Sequence, residues 1–243
     1  MIKVFSISFV SILFVGSASA QSSVVGGAFP TVDHSALITE KLEYGLYYFG
    51  AFPLLDFKSD EVNYKSRFLL FYAEQGLTYN FNKKLSLSGS YVFQQENVNQ
   101  SNYINENRVH IQATYKHVNN GYNFKHRLRF DNRFVKNRLT GETPYTHRLR
   151  YLFGSEFALK MKKDRLYFTF YEEAFFNTFK GAGSFFGENW AYAAIGVKIN
   201  SKNKVETGPL YITWNTGNNS WFHQYYIQLT WISKLDFVKN VKD

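Results

Sequence analysis

Residues 125–134 read KHRLRFDNRF, and charged and apolar side chains alternate at almost every position of this stretch. A period of two is typical of a β-strand, in which successive side chains point to opposite faces. One face of the predicted strand carries Lys125, Arg127, Arg129, Asp131 and Arg133, and the other carries Phe124, Leu128, Phe130 and Phe134. Any fold of this chain must therefore accommodate an ionic face and an apolar face on the same strand.

The same alternation recurs along most of the chain, for example over 84–94, 108–117 and 221–231. Short polar breaks alternate with longer polar or glycine-rich breaks, as in a barrel with tight turns at one end and loops at the other. The short breaks are 80–84, 118–121, 162–164 and 200–203, and the longer ones are 50–62, 96–106, 135–145, 178–188 and 216–220. We predict an all-β fold, an up-and-down antiparallel transmembrane β-barrel of about 10 strands, within a range of about 8–12.

The N-terminus has the features of a secretory signal peptide. Lys3 precedes an apolar run, and Ala18 and Ala20 occupy the small-residue positions that signal peptidase requires. Cleavage is predicted after Ala20, and the bacterial outer membrane is the predicted location. The predicted organisation is a signal peptide at 1–20, a periplasmic lead-in at 21–36, the outer-membrane barrel at 37–237 and a charged tail at 238–243.

The composition helps to decide whether the apolar face meets lipid or a protein core. Aromatic residues make up 19% of the chain and cysteine is absent, so disulfides cannot stabilise an exported domain of this sequence. A soluble sandwich or lipocalin-like barrel also produces alternation, but it would have to enclose all of this aromatic bulk. In an outer-membrane barrel, these aromatic residues would instead form girdles at the two membrane interfaces. The net charge of +9 is typical of nucleic-acid, membrane or anion binding, and export argues against nucleic acid.

The arginines of 125–134 and of the following strand, 145–154, are predicted to face the lumen. A lipid-facing arginine at mid-depth costs about 2–4 kcal/mol, so lipid must lie on the other side of these strands. The alternation places Glu172 on the outer face unless a bulge shifts it, and Glu74 is a further candidate acid. The predicted lumen charge network consists of Arg127, Arg129, Asp131, Arg133, Arg148, Arg150, Glu156, Arg165 and Glu173. These side chains can pair with one another and fill the lumen, or they can line a path for small anions or lipid head groups.

Three strand patterns carry a resemblance to a known family: HRLRF followed by NRF at 126–134, HRLRYLFG at 147–154, and YEEAFFN at 171–177. Together with the signal peptide and the amphipathic last strand, they resemble the bacterial family catalogued as domain of unknown function 2490. The resemblance implies an outer-membrane β-barrel and supplies no activity or catalytic residues. Such barrels often end on an aromatic residue, whereas six residues follow Phe237 here.

An enzyme of the outer-membrane rim is the alternative function. A lipid hydrolase or deacylase would need a serine activated by a histidine, and His147, His223, Ser184 and Ser220 fall near the predicted external ends of strands. The sequence contains neither a nucleophile-elbow motif nor a dinucleotide or phosphate-binding glycine motif, and no cofactor or metal is predicted. The predicted partners are outer-membrane lipid, small anions and an envelope protein complex.

Overall fold

The computed structural model describes residues 24–55, 58–59, 62–63, 68–98, 101–137, 140–159, 165–179, 184–217 and 220–238. The predicted signal peptide and all of the predicted tail except Val238 lie outside these ranges. Within the described residues, no helix has the length and apolarity needed to cross a membrane.

Eleven strands close into one barrel, which confirms the predicted all-β barrel. The barrel strands are β1 (Val24–Leu37), β2 (Leu42–Leu55), β5 (Leu70–Asn80), β6 (Leu85–Glu96), β7 (Ile104–Asn119), β8 (Tyr122–Asn137), β9 (Tyr145–Ala158), β10 (Leu166–Asn177), β11 (Phe186–Lys198), β12 (Asn203–Gly217) and β13 (Ser220–Asp236). A separate two-stranded pair, β3 (Lys58–Ser59) and β4 (Val62–Asn63), lies in the connection between β2 and β5.

The first strand departs from the predicted organisation. The segment 21–36, predicted as a periplasmic lead-in, contributes β1 from Val24 onward. This strand pairs antiparallel with β2 and parallel with β13, and the parallel seam closes a barrel with an odd number of strands. Eleven strands lie within the predicted range of about 8–12 and differ from the even number usual for bacterial barrels. Glycines, a proline and polar residues interrupt the alternation of this strand, so the sequence pattern did not predict it.

The connections define two ends of the barrel. The turn end carries the connections 38–41, 81–84, 120–121, 159–165 and 199–202, and the loop end carries the other five. Side-chain oxygens cap several turns: Asn82 and Asn200 each accept two backbone N–H bonds, as Thr39 does in the first turn. The last connection at the loop end is only 218–219, shorter than the predicted break at 216–220.

The barrel is strongly staggered. Following paired residues once round the wall from Val135 leads back to the other end of β8 beside Gly121, a stagger of about 14 residues. For eleven strands this stagger corresponds to a strand tilt of roughly 40°. The two faces of the wall differ as the alternation predicts, because Leu128 and Phe134 are exposed on the outside whereas Arg129 and Asp131 are buried inside.

The two-residue turn between β7 and β8 yields a stability prediction. Asn120 and Gly121 both have positive φ, 50° and 83°, as a tight hairpin turn requires. Gly121→Ala should lower the free energy of unfolding by about 1–2 kcal/mol, because a Cβ disfavours this conformation. Urea titration of the purified protein measures the change. The control is Gly89→Ala, whose added Cβ would have no atom within 4 Å and whose φ is not positive. Equal losses in the two variants would contradict the prediction.

Candidate functional site

Six arginines on three adjacent strands face the lumen. They are Arg108 on β7, Arg127, Arg129 and Arg133 on β8, and Arg148 and Arg150 on β9. Their side chains are buried or nearly so, with relative exposures from 2% to 19%. Burying a guanidinium without a partner is costly, so the position of each carboxylate decides whether this wall is stable.

Glu106 and Glu173 each hold two arginines. The carboxylate of Glu106 accepts two hydrogen bonds from Arg133, at 2.8 and 2.7 Å, and one from Nε of Arg108 at 2.7 Å. The carboxylate of Glu173 accepts two from Arg150, at 2.9 and 2.8 Å, and one from Arg127 at 2.7 Å. The two-point geometry of Arg133 and Arg150 is the arrangement in which guanidinium and carboxylate bind most strongly.

Asp131 is the centre of the network. Its side chain is fully buried, and Oδ2 accepts a hydrogen bond from Nε of Arg148 at 3.1 Å. Arg108 and Arg150 approach the same oxygen, each at 3.7 Å. The fully buried His110 lies with Nδ1 4.0 Å from Oδ1 of Asp131 and with Nε2 3.3 Å from Oε1 of Glu74. One carboxylate is thus surrounded by guanidinium groups from β7 and β9.

Two further acids complete the pairing. Glu74 on β5 accepts hydrogen bonds from the Tyr72 hydroxyl at 2.6 Å and from Arg129 at 3.4 Å. Glu188 on β11 accepts one from Arg148 at 3.2 Å and one from the Trp190 indole at 2.6 Å. The five carboxylates come from five different strands, so the network ties opposite parts of the wall together.

Aromatic side chains continue this network across the lumen. Phe175 lies under Arg150, 4.2 Å from its guanidinium carbon, and its ring centroid is 5.8 Å from that of Trp190. Phe49 contacts both Trp190 and Tyr72, with centroids 5.9 and 4.4 Å away. Arg108 lies over Tyr72 at 5.8 Å and closes the ring of contacts through Asp131. We call this ring, with the buried Phe29 beside it, the transverse layer.

The predicted lumen residues fall into three groups. The first group lies together in the network and consists of Arg127, Arg129, Asp131, Arg133, Arg148, Arg150 and Glu173. Glu156 faces the lumen near the turn end, where it pairs with Lys204 at 2.6 Å. Arg165 is exposed and lies one residue before β10, apart from the network. Glu172 remains on the outer face, where Asn189 donates a hydrogen bond to it at 3.2 Å.

Several network residues were missed from the sequence. Glu106 shares the inward alternation of Arg108 and His110, so the pattern of β7 contained the signal for it. Glu188 and the aromatic half of the layer carried no such signal, because Phe49, Tyr72, Phe175 and Trp190 look like lipid-facing residues in the sequence. The expectation that the aromatic bulk would lie outside is therefore only partly right.

The rim residues are not arranged as nucleophile and base. Nδ1 of His147 is hydrogen-bonded to the Thr178 hydroxyl at 2.7 Å, and Nδ1 of His223 to the Tyr211 hydroxyl at 2.7 Å. Ser184 donates its hydroxyl to the carbonyl of Phe186 at 2.8 Å, and Ser220 lies at the start of β13. Across the described residues, no group of three or more histidine, aspartate or glutamate side chains is placed to hold a metal ion.

A cavity of about 1610 Å³ occupies the rest of the lumen. It is lined at the turn end by residues such as Lys116 and Asn80, and at the loop end by residues such as Asn177 and Trp214. Twelve lysine and arginine side chains line it, against eight carboxylates. The six arginines border it at the transverse layer, whereas the six lysines contribute cationic charge nearer the turn end.

Neighbouring glutamates on β10 provide a test of the network. Glu173→Gln should lower the free energy of unfolding by about 3–5 kcal/mol, because it leaves two buried guanidinium groups without their carboxylate. Glu172→Gln, one residue away on the outer face, should change it by less than about 0.5 kcal/mol. Urea unfolding of the two purified variants, followed by tryptophan fluorescence, compares them. Similar values for both variants would mean that the network contributes nothing specific to stability.

Comparison with known proteins agrees with the resemblance seen in the sequence. No curated protein matches the chain. A family model described as Protein of unknown function (DUF2490) matches residues 57–224, from the connection before β5 to the first part of β13. The match covers more than two thirds of the chain and includes all five carboxylates of the network. The chain therefore belongs to the DUF2490 family.

Proposed function

We propose that this protein is an outer-membrane β-barrel whose lumen forms a narrow pore preferring small anions. The membrane part of the proposal is supported by the outer face. Among the described strand residues that alternate outward, only Lys136 and Glu172 carry a full charge. Large apolar side chains are exposed there, for example Ile111 at 60% and Ile227 at 59%. A soluble protein would hide such side chains, whereas lipid would cover them.

The pore part of the proposal is supported by one observation, the cavity that is lined from both ends of the barrel. Carboxylates neutralise most of the arginine charge at the transverse layer. The layer therefore narrows the lumen but adds little net positive charge to it. The surplus of cationic side chains lies in the lysines towards the turn end. Fixed charges of one sign along a narrow lumen favour ions of the opposite sign. Small anions are therefore the proposed permeant class, and lipid is the proposed surrounding partner.

The outer face can be tested by placing a charge on it. Ile111→Arg should reduce the free energy of folding into lipid bilayers by about 2–4 kcal/mol, because the guanidinium would lie near mid-depth of the proposed membrane. Asn105→Arg, on the same face of β7 but close to the loop end, should cost about 1 kcal/mol or less. Folding into vesicles at a series of urea concentrations gives both values. Equal costs at the two positions would contradict a membrane band.

The pore can be tested by narrowing it from within. A Cβ built on Gly45 inside the lumen, or on Gly89 outside the barrel, would have no atom within 4 Å, so both positions accept a side chain. In planar bilayers, the unchanged protein should conduct with a reversal potential that shows anion preference. Gly45→Trp should reduce the single-channel conductance, because the indole enters the lumen, and Gly89→Trp should leave it unchanged. A membrane that stays sealed at all voltages would overturn the pore.

A further inference from the structure

Two lysines face each other directly across neighbouring strands at the turn end of the lumen. Lys116 on β7 and Lys125 on β8 are paired in the sheet register, and both line the cavity. Side chains in such a pair have Cβ atoms about 4.5–5.5 Å apart, and like charges at this distance destabilise a sheet. The two ammonium groups therefore repel each other, and a negative charge between or beside them would relieve that repulsion.

The protein supplies little of that negative charge. Among the described residues, neither lysine has a carboxylate oxygen within 4.0 Å. Four carboxylates face this part of the cavity, and two of them are engaged: Glu156 by Lys204 at 2.6 Å and Glu206 by the Tyr167 hydroxyl at 2.7 Å. Asp33 and Glu43 act electrostatically on Lys116, and Asp33 acts likewise on Lys125, but neither acid forms an ion pair with a lysine.

Arg127 adds a third cation next to Lys125 on the same face of β8. One of its terminal nitrogens donates to Glu173 at 2.7 Å, while Nε is buried and has no hydrogen-bond partner in the described structure. Lys234, on β13, lines the same end of the cavity and is close enough to act electrostatically on Lys116. The cationic charge at this point is thus shared by three strands around a common space.

The space beside these cations is open and lined by small or hydroxylated residues. Gly45, Gly76 and Gly154 contribute no side chains to it, and Ser88 and Thr114 contribute hydroxyl groups. Across from the lysines, a Cβ built on Gly45 would touch nothing within 4 Å, which shows the room available. We call this part of the cavity, between the transverse layer and the turn end, the basic chamber.

We propose that Lys116, Lys125 and Arg127 bind a phosphate-bearing anion in the basic chamber. A group with more than one negative charge and several acceptor oxygens can satisfy two ammonium groups and a guanidinium at once. The phosphate can belong to a free molecule entering from the turn end or to a lipid head group reaching the mouth. This inference rests on the proposed function in one respect, since it places the proposed anion at a defined point of the lumen.

Titration calorimetry on the detergent-solubilised mature protein tests the site, with pyrophosphate as the probe. We expect saturable binding that Lys116→Gln or Lys125→Gln weakens about 10-fold or more, the usual loss for a hydrogen bond to a charged group. Lys202→Gln, in the exposed turn between β11 and β12, is the matched control and should bind as the unchanged protein does. Urea unfolding of each variant shows whether it is folded.

The source of the phosphate is separated by a second titration with short-chain phosphatidate. Binding of phosphatidate alone, with the same dependence on the two lysines, would support the site and assign the phosphate to lipid. If neither probe binds, or if both lysine variants bind as well as Lys202→Gln, the site is overturned. Calorimetry does not depend on conductance, so lysine-dependent binding by a barrel that does not conduct would retain the site and remove the pore.

Discussion

The pairing of buried guanidinium groups with carboxylates is the interaction on which the rest of this barrel depends. Five of the six arginines on β7, β8 and β9 donate hydrogen bonds at 2.7–3.1 Å to Glu106, Asp131 and Glu173, and the sixth, Arg129, donates to Glu74 at 3.4 Å. Because a buried ion pair rarely exceeds a well-packed apolar core in stability, its value here lies in fixing the register. A shift of one residue in β8 would turn its arginines and Asp131 outward and break the pairs that they make with Glu74, Glu106, Glu173 and Arg148.

The network also determines what the lumen can do. It covers one side of the interior, and aromatic side chains of β2, β5, β10 and β11 cover the other, so that the transverse layer narrows the middle of the eleven-stranded barrel. Paired charges within the layer are mutually satisfied and leave little attraction for a ligand. The lysines near the turn end are arranged differently, since the carboxylates around them are fewer or already engaged. The proposed anion site lies on the lysine side of the layer, where it combines two lysines with Arg127, which shares Glu173 with Arg150.

The sequence predicted the inner and outer faces of β8, β9 and β10 because each alternates charge with aromatic bulk over many residues. It failed at β1, where Gly26, Gly27 and Pro30 interrupt the pattern and pairing with both β2 and β13 makes the segment a strand. The carboxylate partners were partly predictable, since Glu106 shares the alternation of Arg108. Glu74 on β5 was already a candidate acid in the sequence, but its pairing with Arg129 depends on which strands face each other across the lumen. The same holds for Glu188 on β11, and a single sequence does not encode that in its local pattern. Trp190 and Phe49 illustrate the same limit, because an aromatic side chain suits lipid and a packed interior equally well.

In the proposed membrane barrel, the apolar outer face meets lipid while the ionic face is enclosed. Trp231 is exposed on the outer face at 48%, and Trp190 lies inside the transverse layer. Two variants that keep only one of these tryptophans, with the others changed to phenylalanine, can be folded into vesicles whose acyl chains carry bromine, a contact quencher of indole fluorescence. The account predicts strong quenching of Trp231 and little quenching of Trp190. Equal quenching of the two, or no quenching of Trp231 by any bromine position, would contradict it.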